Sequence, residues 1–289
     1  MSASQNEIQI LQGLLHGSTD VDQAVARLTA PVLDALQDTD RSKEDTKSAD
    51  DIIWGLWMAF AQMAKNTPAS DGIAQEKLVD CLAAIKKLPP AMVTNNETGE
   101  REQYRNWGGR VWDDLPLFGP VIREEWNWFD PPETDPERDN ERKEWVNLNA
   151  FVAHVTLAHV MDFELYAIWA LRDAFEEDGF AKVPDDSESP STTSSPLDAH
   201  IPAAAQWIFV TGTLIYHSER QWVPGPNEGD PARGGPLLPF STQGFSRERW
   251  NFWKMGFATA AKDKRLGEDT KNISQAVYEK MEEIENSSR

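Results

Sequence analysis

The sequence predicts an all-α fold: a single irregular helical domain built around a long, buried central helix, with a tryptophan-rich core. Three observations carry this. Residues 141–178 read ERKEWVNLNAFVAHVTLAHVMDFELYAIWALRDAFEED, with no Gly and no Pro. Within them Trp145, Leu148, Val152, Val155, His159, Asp162, Tyr166 and Trp169 form one line at helical spacing, and Phe151, Ala158, Leu165 and Ile168 form a second. A helix apolar on one stripe packs on one neighbour, whereas one apolar nearly all round is enclosed. Finally, most of the 12 tryptophans fall in segments of helical periodicity, and each large aromatic buries roughly 150–250 Å².

Taken in order, residues 7–15 form a short amphipathic helix that Gly17 ends. Ser18 or Thr19 then caps a second helix through Leu36, which Pro31 should kink or split. Residues 37–47 are polar and charged and read as a flexible connection. Ser48, with Asp51 three residues on, is a capping arrangement for a mostly buried helix to about Lys65. Another helix occupies 71–88 and stops at Pro89-Pro90, followed by a polar loop over 94–105. Gly108-Gly109 marks a flexible turn, and Pro120 suits the first position of a helix carrying Val121, Ile122 and Trp126. The central helix can break near Asp162, which would cap a segment starting at Phe163. Residues 197–219 form a further apolar helix, 223–239 hold five Pro and four Gly and read as irregular, and Ser246 caps a helix with Trp250 and Trp253. The last helix spans about 268–285. No strand and no repeat is evident. As domains, 1–47 supply N-terminal helices and a flexible acidic linker, and 48–289 the all-helical domain, with disordered-type loops near 130–140 and 185–195.

Composition narrows the function classes. A net charge of −20, from 48 acidic and 28 basic side chains, argues against nucleic acid and against an anionic membrane, which need clustered Lys and Arg. It favours solubility and a basic partner. One cysteine, Cys81, excludes an internal disulfide. The N-terminus shows no secretory signal, and the apolar runs fall short of the ~20 residues that span a bilayer. These features point to an intracellular, cytoplasmic protein.

Chemistry-bearing residues are few. His154 and His159 lie about 140° apart round a helix and do not share a face. His159 and Asp162 do, but a metal needs three or four ligands and no matching cluster is seen, so no metal and no cofactor is expected. No nucleophile elbow, P-loop or dinucleotide fingerprint occurs, and Cys81 lacks an activating partner. The acidic motifs of class I terpene cyclases are not matched by Asp50-Asp51 or by Asn272-Ile-Ser. His16 and His200 read as surface residues. There remain Asn147, Asn149, His154, His159, Asp162, Tyr166 and Arg172, polar residues set among apolar ones. A buried polar group left unpaired costs about 1–3 kcal/mol, so they imply either an internal hydrogen-bond network or a pocket.

The segments LPLFGPVIREEWN, EWVNLNAFVAHVT, DFELYAIWALRDAFE, LDAHIPAAAQWI and GFSRERWNFWKMGF together resemble, in that order, the fungal DUF3632 proteins, a family of unknown function. The resemblance runs from about Ile52 to Glu285. It implies a fungal, mostly helical, soluble protein and carries over no catalytic residues. Some members lie in secondary-metabolite gene clusters, which implies a small-molecule setting.

Two functions are compatible with these readings. One is a helical scaffold or interaction protein. The other is a binder of an apolar small molecule, or a cofactor-independent cyclase or isomerase acting on one. Its pocket would have His159, Asp162, Tyr166 and Asn147 as polar handles and Trp126, Trp169, Trp207 and Trp253 as walls.

Overall fold

The computed structural model describes residues 4–37, 47–95, 98–127, 139–177, 195–239 and 243–288. The connection at 37–47 and the loops near 130–140 and 185–195 lie almost wholly outside the described residues. The chain divides into two compact units, Met1–Phe129 and Asp130–Arg289.

The first unit holds α1 (Gln5–Leu15), α2 (Val21–Gln37), α3 (Ala49–Asn66), α4 (Gly72–Lys86) and α5 (Phe118–Asn127), with four short strands between α4 and α5. Gly17 ends α1 at φ 74°, donating to the Leu14 carbonyl at 3.1 Å while Ser18 donates to Gly13 at 2.9 Å. This is the left-handed stop that glycine suits. The cap of α2 is Asp20, whose Oδ1 accepts from the Gln23 amide at 2.8 Å, rather than Ser18 or Thr19. Pro31 does not split α2; it removes one ladder bond, while Val25, Leu28 and Val32 stay buried along the helix. Ser48 and Asp51 cap α3 reciprocally: Ser48 Oγ accepts from the Asp51 amide and Asp51 Oδ2 from the Ser48 amide, both at 3.1 Å. The Ser48 hydroxyl holds the Asp51 carboxyl below its usual range. Ile53, Leu56, Trp57 and Phe60 are buried where α3 packs on α1, α2 and α5.

The strands were not legible in the sequence. Strands β1 (Met92–Thr94) and β2 (Arg101–Gln103) form one antiparallel ribbon, and β3 (Arg105–Asn106) and β4 (Gly109–Arg110) a second. Strands of two or three residues carry no alternation to detect. Their anchor is tertiary: the Tyr104 hydroxyl donates to Asp50 Oδ1 in the first turn of α3, and Asn106 Nδ2 donates to the same oxygen at 2.7 Å. Gly119 and Pro120 lie inside the first turn of α5 rather than ahead of it.

The second unit is helical throughout: α6 (Asp139–Leu157), α7 (Glu164–Phe175), α8 (Leu197–His217), α9 (Arg247–Ala260) and α10 (Glu268–Ser287). The central segment is thus two helices, broken at 158–163. Enclosure holds for α6, which buries Trp145, Leu148, Phe151, Val152 and Val155 on several sides. It shares the middle of the unit with α8, which packs on α6, α7, α9 and α10. Small residues Ala203, Ala204, Ala205 and Gly212 let α8 come close to its neighbours; a Cβ on Gly212 would stand 2.8 Å from Ile284 Cδ1. Ser246 Oγ caps α9 by accepting from the Arg249 amide at 3.1 Å. Residues 223–239 carry no helix or named strand, as their Pro and Gly content predicts. Among the described residues no helix is long and apolar enough to cross a membrane.

Candidate functional site

The residues expected to line a pocket do not share one environment. Trp126 belongs to the first unit, where it is buried on α5. His159 lies at the corner after α6, exposed, with φ 53°. Its amide donates to Thr156 at 3.0 Å and that of Val160 to Val155 at 3.1 Å. This is the same left-handed stop that Gly17 makes in α1, with a histidine in the glycine position. Asp162 is also exposed, accepts from the Glu164 amide at 3.0 Å, and pairs with Arg220 at 2.5 Å. Its work is to start α7 and hold Arg220, whose guanidinium lies 4.6 Å over the Trp222 ring.

Tyr166 and Trp169 do come together. Phe163, Tyr166 and Trp169 pack in a row, edge-to-face and then tilted, with centroids 5.1 Å and then 4.7 Å apart. Tyr166 is buried and Trp169 half-buried, its indole donating to the Pro231 carbonyl at 2.7 Å. Asn147 is half-buried on α6. Trp207 is buried and donates to Asn149 Oδ1 at 2.9 Å. Trp253 is buried and donates to Glu176 Oε1 at 2.8 Å. A depression of about 370 Å³ lies elsewhere, near the end of α9, lined by Met255, Ala258, Thr259, Lys262 and Asp263.

The most concentrated polar group in this unit is one the sequence reading missed. Glu176 and Arg249 are both fully buried and form a two-pronged pair, Arg249 Nε to Oε1 at 2.7 Å and Nη2 to Oε2 at 2.9 Å. Glu176 Oε2 also accepts from the Gly235 amide at 2.9 Å. Arg249 spends its other donors on the carbonyls of Ala232 at 2.8 Å, Arg233 at 3.0 Å and Gly244 at 3.1 Å. Bidentate geometry with the remaining donors satisfied is what makes a buried ion pair tolerable. Glu176 sits in the acidic run FEED and Arg249 in SRER, and no spacing in either run marks its charge as buried. The available signal was indirect: Gly235 and Gly244 lie where a Cβ would collide with the backbone oxygens of Glu176 and Arg220 respectively. The group is a clamp on the Pro- and Gly-rich segment, to which Arg172 adds weaker contacts at 3.4 Å with Pro231 and Arg233.

Other reactive groups are muted. Burial pushes the Cys81 thiol up to about 12, with the charge of Asp80 adding to it, so a thiolate is not available near neutral pH. His200, expected at the surface, is half-buried in the first turn of α8, and desolvation pushes it down to about 4. Among the described residues no three His, Cys, Asp or Glu side chains gather as metal ligands.

A family model described as a protein of unknown function, DUF3632, matches residues 57–257. The chain belongs to that family. The match spans α3 to α9 of this DUF3632 member and so includes the Glu176–Arg249 clamp, the Asp162 corner and both strand ribbons. No curated protein matches the sequence.

Proposed function

We propose that this DUF3632 member is a non-catalytic helical scaffold or interaction protein of the cytoplasm. The observation that supports it best is the fate of the polar groups in the second unit. Glu176, Arg249, Trp253, Trp207 and Asn149 are buried and engaged with one another or with backbone, and Asp162 is committed to Arg220. An active site keeps donors and acceptors for its substrate; these serve the fold. The acidic surface of a chain of net charge −20 fits a basic partner.

The second reading, an apolar small-molecule binder, draws on one specific feature: the Phe163–Tyr166–Trp169 row, whose last ring is half-buried. Intrinsic tryptophan emission and thermal-shift measurements across a library of lipophilic metabolites separate the two. The scaffold reading expects no compound to move either signal. A saturable shift with one compound, abolished by Trp169→Leu, would replace it with the binder.

A further inference from the structure

One buried charge in the second unit is not answered by the fold. Arg142 stands in the first turn of α6, with 10% of its side chain exposed. Its ion partner among the described residues is Asp139, 3.5 Å from Nη1 and itself mostly exposed. Nε and Nη2 are buried and have no hydrogen-bond partner. Both atoms also lie out of reach of bulk water. Arg249 shows what such a group needs. Its Nε and Nη2 hold the two oxygens of Glu176, and its other contacts are backbone carbonyls. The same edge of Arg142 is bare.

Position adds to the misfit. The first amides of a helix lack partners within it and form its positive end, so acidic side chains suit that turn and cations do not. Asp139 and Glu141 conform; Arg142 does not. Trp145 and Asn149 follow at i+3 and i+7 on the same side of the helix. Both are buried, neither carries a charge, and Asn149 Oδ1 is taken by Trp207. A buried charge left half-paired destabilises the folded chain, and an apolar side chain of similar size does better there. Residues that break local rules in this way mark functional sites.

We infer that Arg142 anchors a carboxylate-binding site at the start of α6. The Nε–Nη2 edge presents two parallel N–H donors, which match the two oxygens of a carboxylate. The positive end of α6 adds to the attraction. Charge selects the class: beside Asp139 and Glu141, on a chain of net charge −20, a singly charged carboxylate is repelled less than a doubly charged phosphate. A free small acid and the C-terminus of another polypeptide present this same group. Entry requires the first turn of α6 to open, since the edge is shut off from solvent. Asp139 and Asn140 are exposed at that end, and helix termini are the parts that open most readily. The inference goes beyond the scaffold reading and does not depend on it.

The Arg142 Nε–H resonance reports the site directly, in protein labelled with 15N-arginine and assigned through Arg142→Lys. Sodium acetate is titrated against sodium chloride at matched ionic strength. Acetate should shift that resonance saturably and raise the melting temperature, and chloride should do neither. Arg142→Lys keeps the charge but loses the two-pronged edge, so it should weaken acetate at least about tenfold in the melting-temperature titration. Arg142→Met should abolish the response yet raise the melting temperature of the acetate-free protein, so its loss of binding does not reflect misfolding. Tetra-alanine with a free C-terminus, compared with its amide, separates the two sources: a response to the free peptide and not to the amide assigns a polypeptide terminus, and a response to acetate alone assigns a small acid. The inference is overturned by a resonance that acetate leaves still, by one that moves with inorganic phosphate but not with acetate, or by an Arg142→Met variant that keeps the response. It is overturned too if the triple variant Glu133→Gln, Asp135→Asn, Glu137→Gln shifts the same resonance without acetate, because the chain then supplies its own carboxylate. A compound from the metabolite screen is lost with Trp169→Leu and leaves acetate binding in place, so failure of one reading is distinct from failure of the other.

Discussion

His159 is held in the left-handed region where a side chain raises the energy of the fold. Replacing it with Gly should stabilise the protein by about 0.5–1 kcal/mol, because glycine reaches that region freely. Urea unfolding measures this, and a loss of stability would mean that the imidazole makes a contact outweighing the strain. Trp107 turns β3 into β4 at φ 48°, and Trp107→Asn is expected to act in the same direction and by a similar amount, about 1 kcal/mol. The two sites also mark where sequence reading stops. A histidine three residues before an aspartate has the same spacing whether the pair holds a ligand or ends one helix and starts the next. Only the backbone angle at His159 separates the cases, and spacing does not encode it. Trp107 beside Gly108-Gly109 was legible as a turn but not as an exposed ring, since exposure depends on what else the fold brings near.

Helices were legible where their ends carry their own chemistry. The Ser48–Asp51 box, the Asp71 side chain accepting from the Ala74 amide at 3.0 Å, and Ser246 ahead of α9 each set a boundary from within a few residues. The ribbons between α4 and α5 were not legible, because Asp50, more than 50 residues upstream, orders them. The same holds for 223–239, whose conformation depends on Glu176 and Arg249. Removing one partner of that pair should be severe: Arg249→Met leaves a buried carboxylate and should cost about 3–5 kcal/mol. The double variant Glu176→Leu, Arg249→Met should recover much of that loss in chemical denaturation. If both singles cost less than about 1 kcal/mol, the clamp is not what holds the segment. Gly235→Ala should destabilise as well, since its Cβ would collide with the Glu176 carbonyl oxygen.

At the scale of the whole molecule, two of the groups through which pH acts oppose each other. His200 has a folded value of about 4, below its ordinary 6.5. Its contribution is therefore full above 6.5 and lost as pH falls toward 4. The loss amounts to about 3 kcal/mol on the acid side, and His200→Gln should flatten that limb of the stability profile. Burial pushes Asp173 up to about 6 against the pull of Arg172, with Glu177 and Glu176 adding to the rise. Its contribution is present below the ordinary carboxyl value and lost as pH rises through about 6. Because its side chain is 38% exposed, solvent screening makes it the smaller effect. Asp173→Asn should therefore give a modest gain at neutral pH. Net charge was the global property most directly readable: at −20, self-repulsion should make the melting temperature rise with salt through the physiological range.

The Pro- and Gly-rich stretch receives its shape from donors on α7 and α9 that grip its carbonyl oxygens. Carbonyls are common to every residue type, so the outward side chains there are at liberty to change. Val223 and Leu237, both exposed, should accept broad substitution with the fold intact. A region built this way can diverge in surface character between relatives while keeping one path through space, provided Gly235, Gly244 and their two distant charged holders are retained.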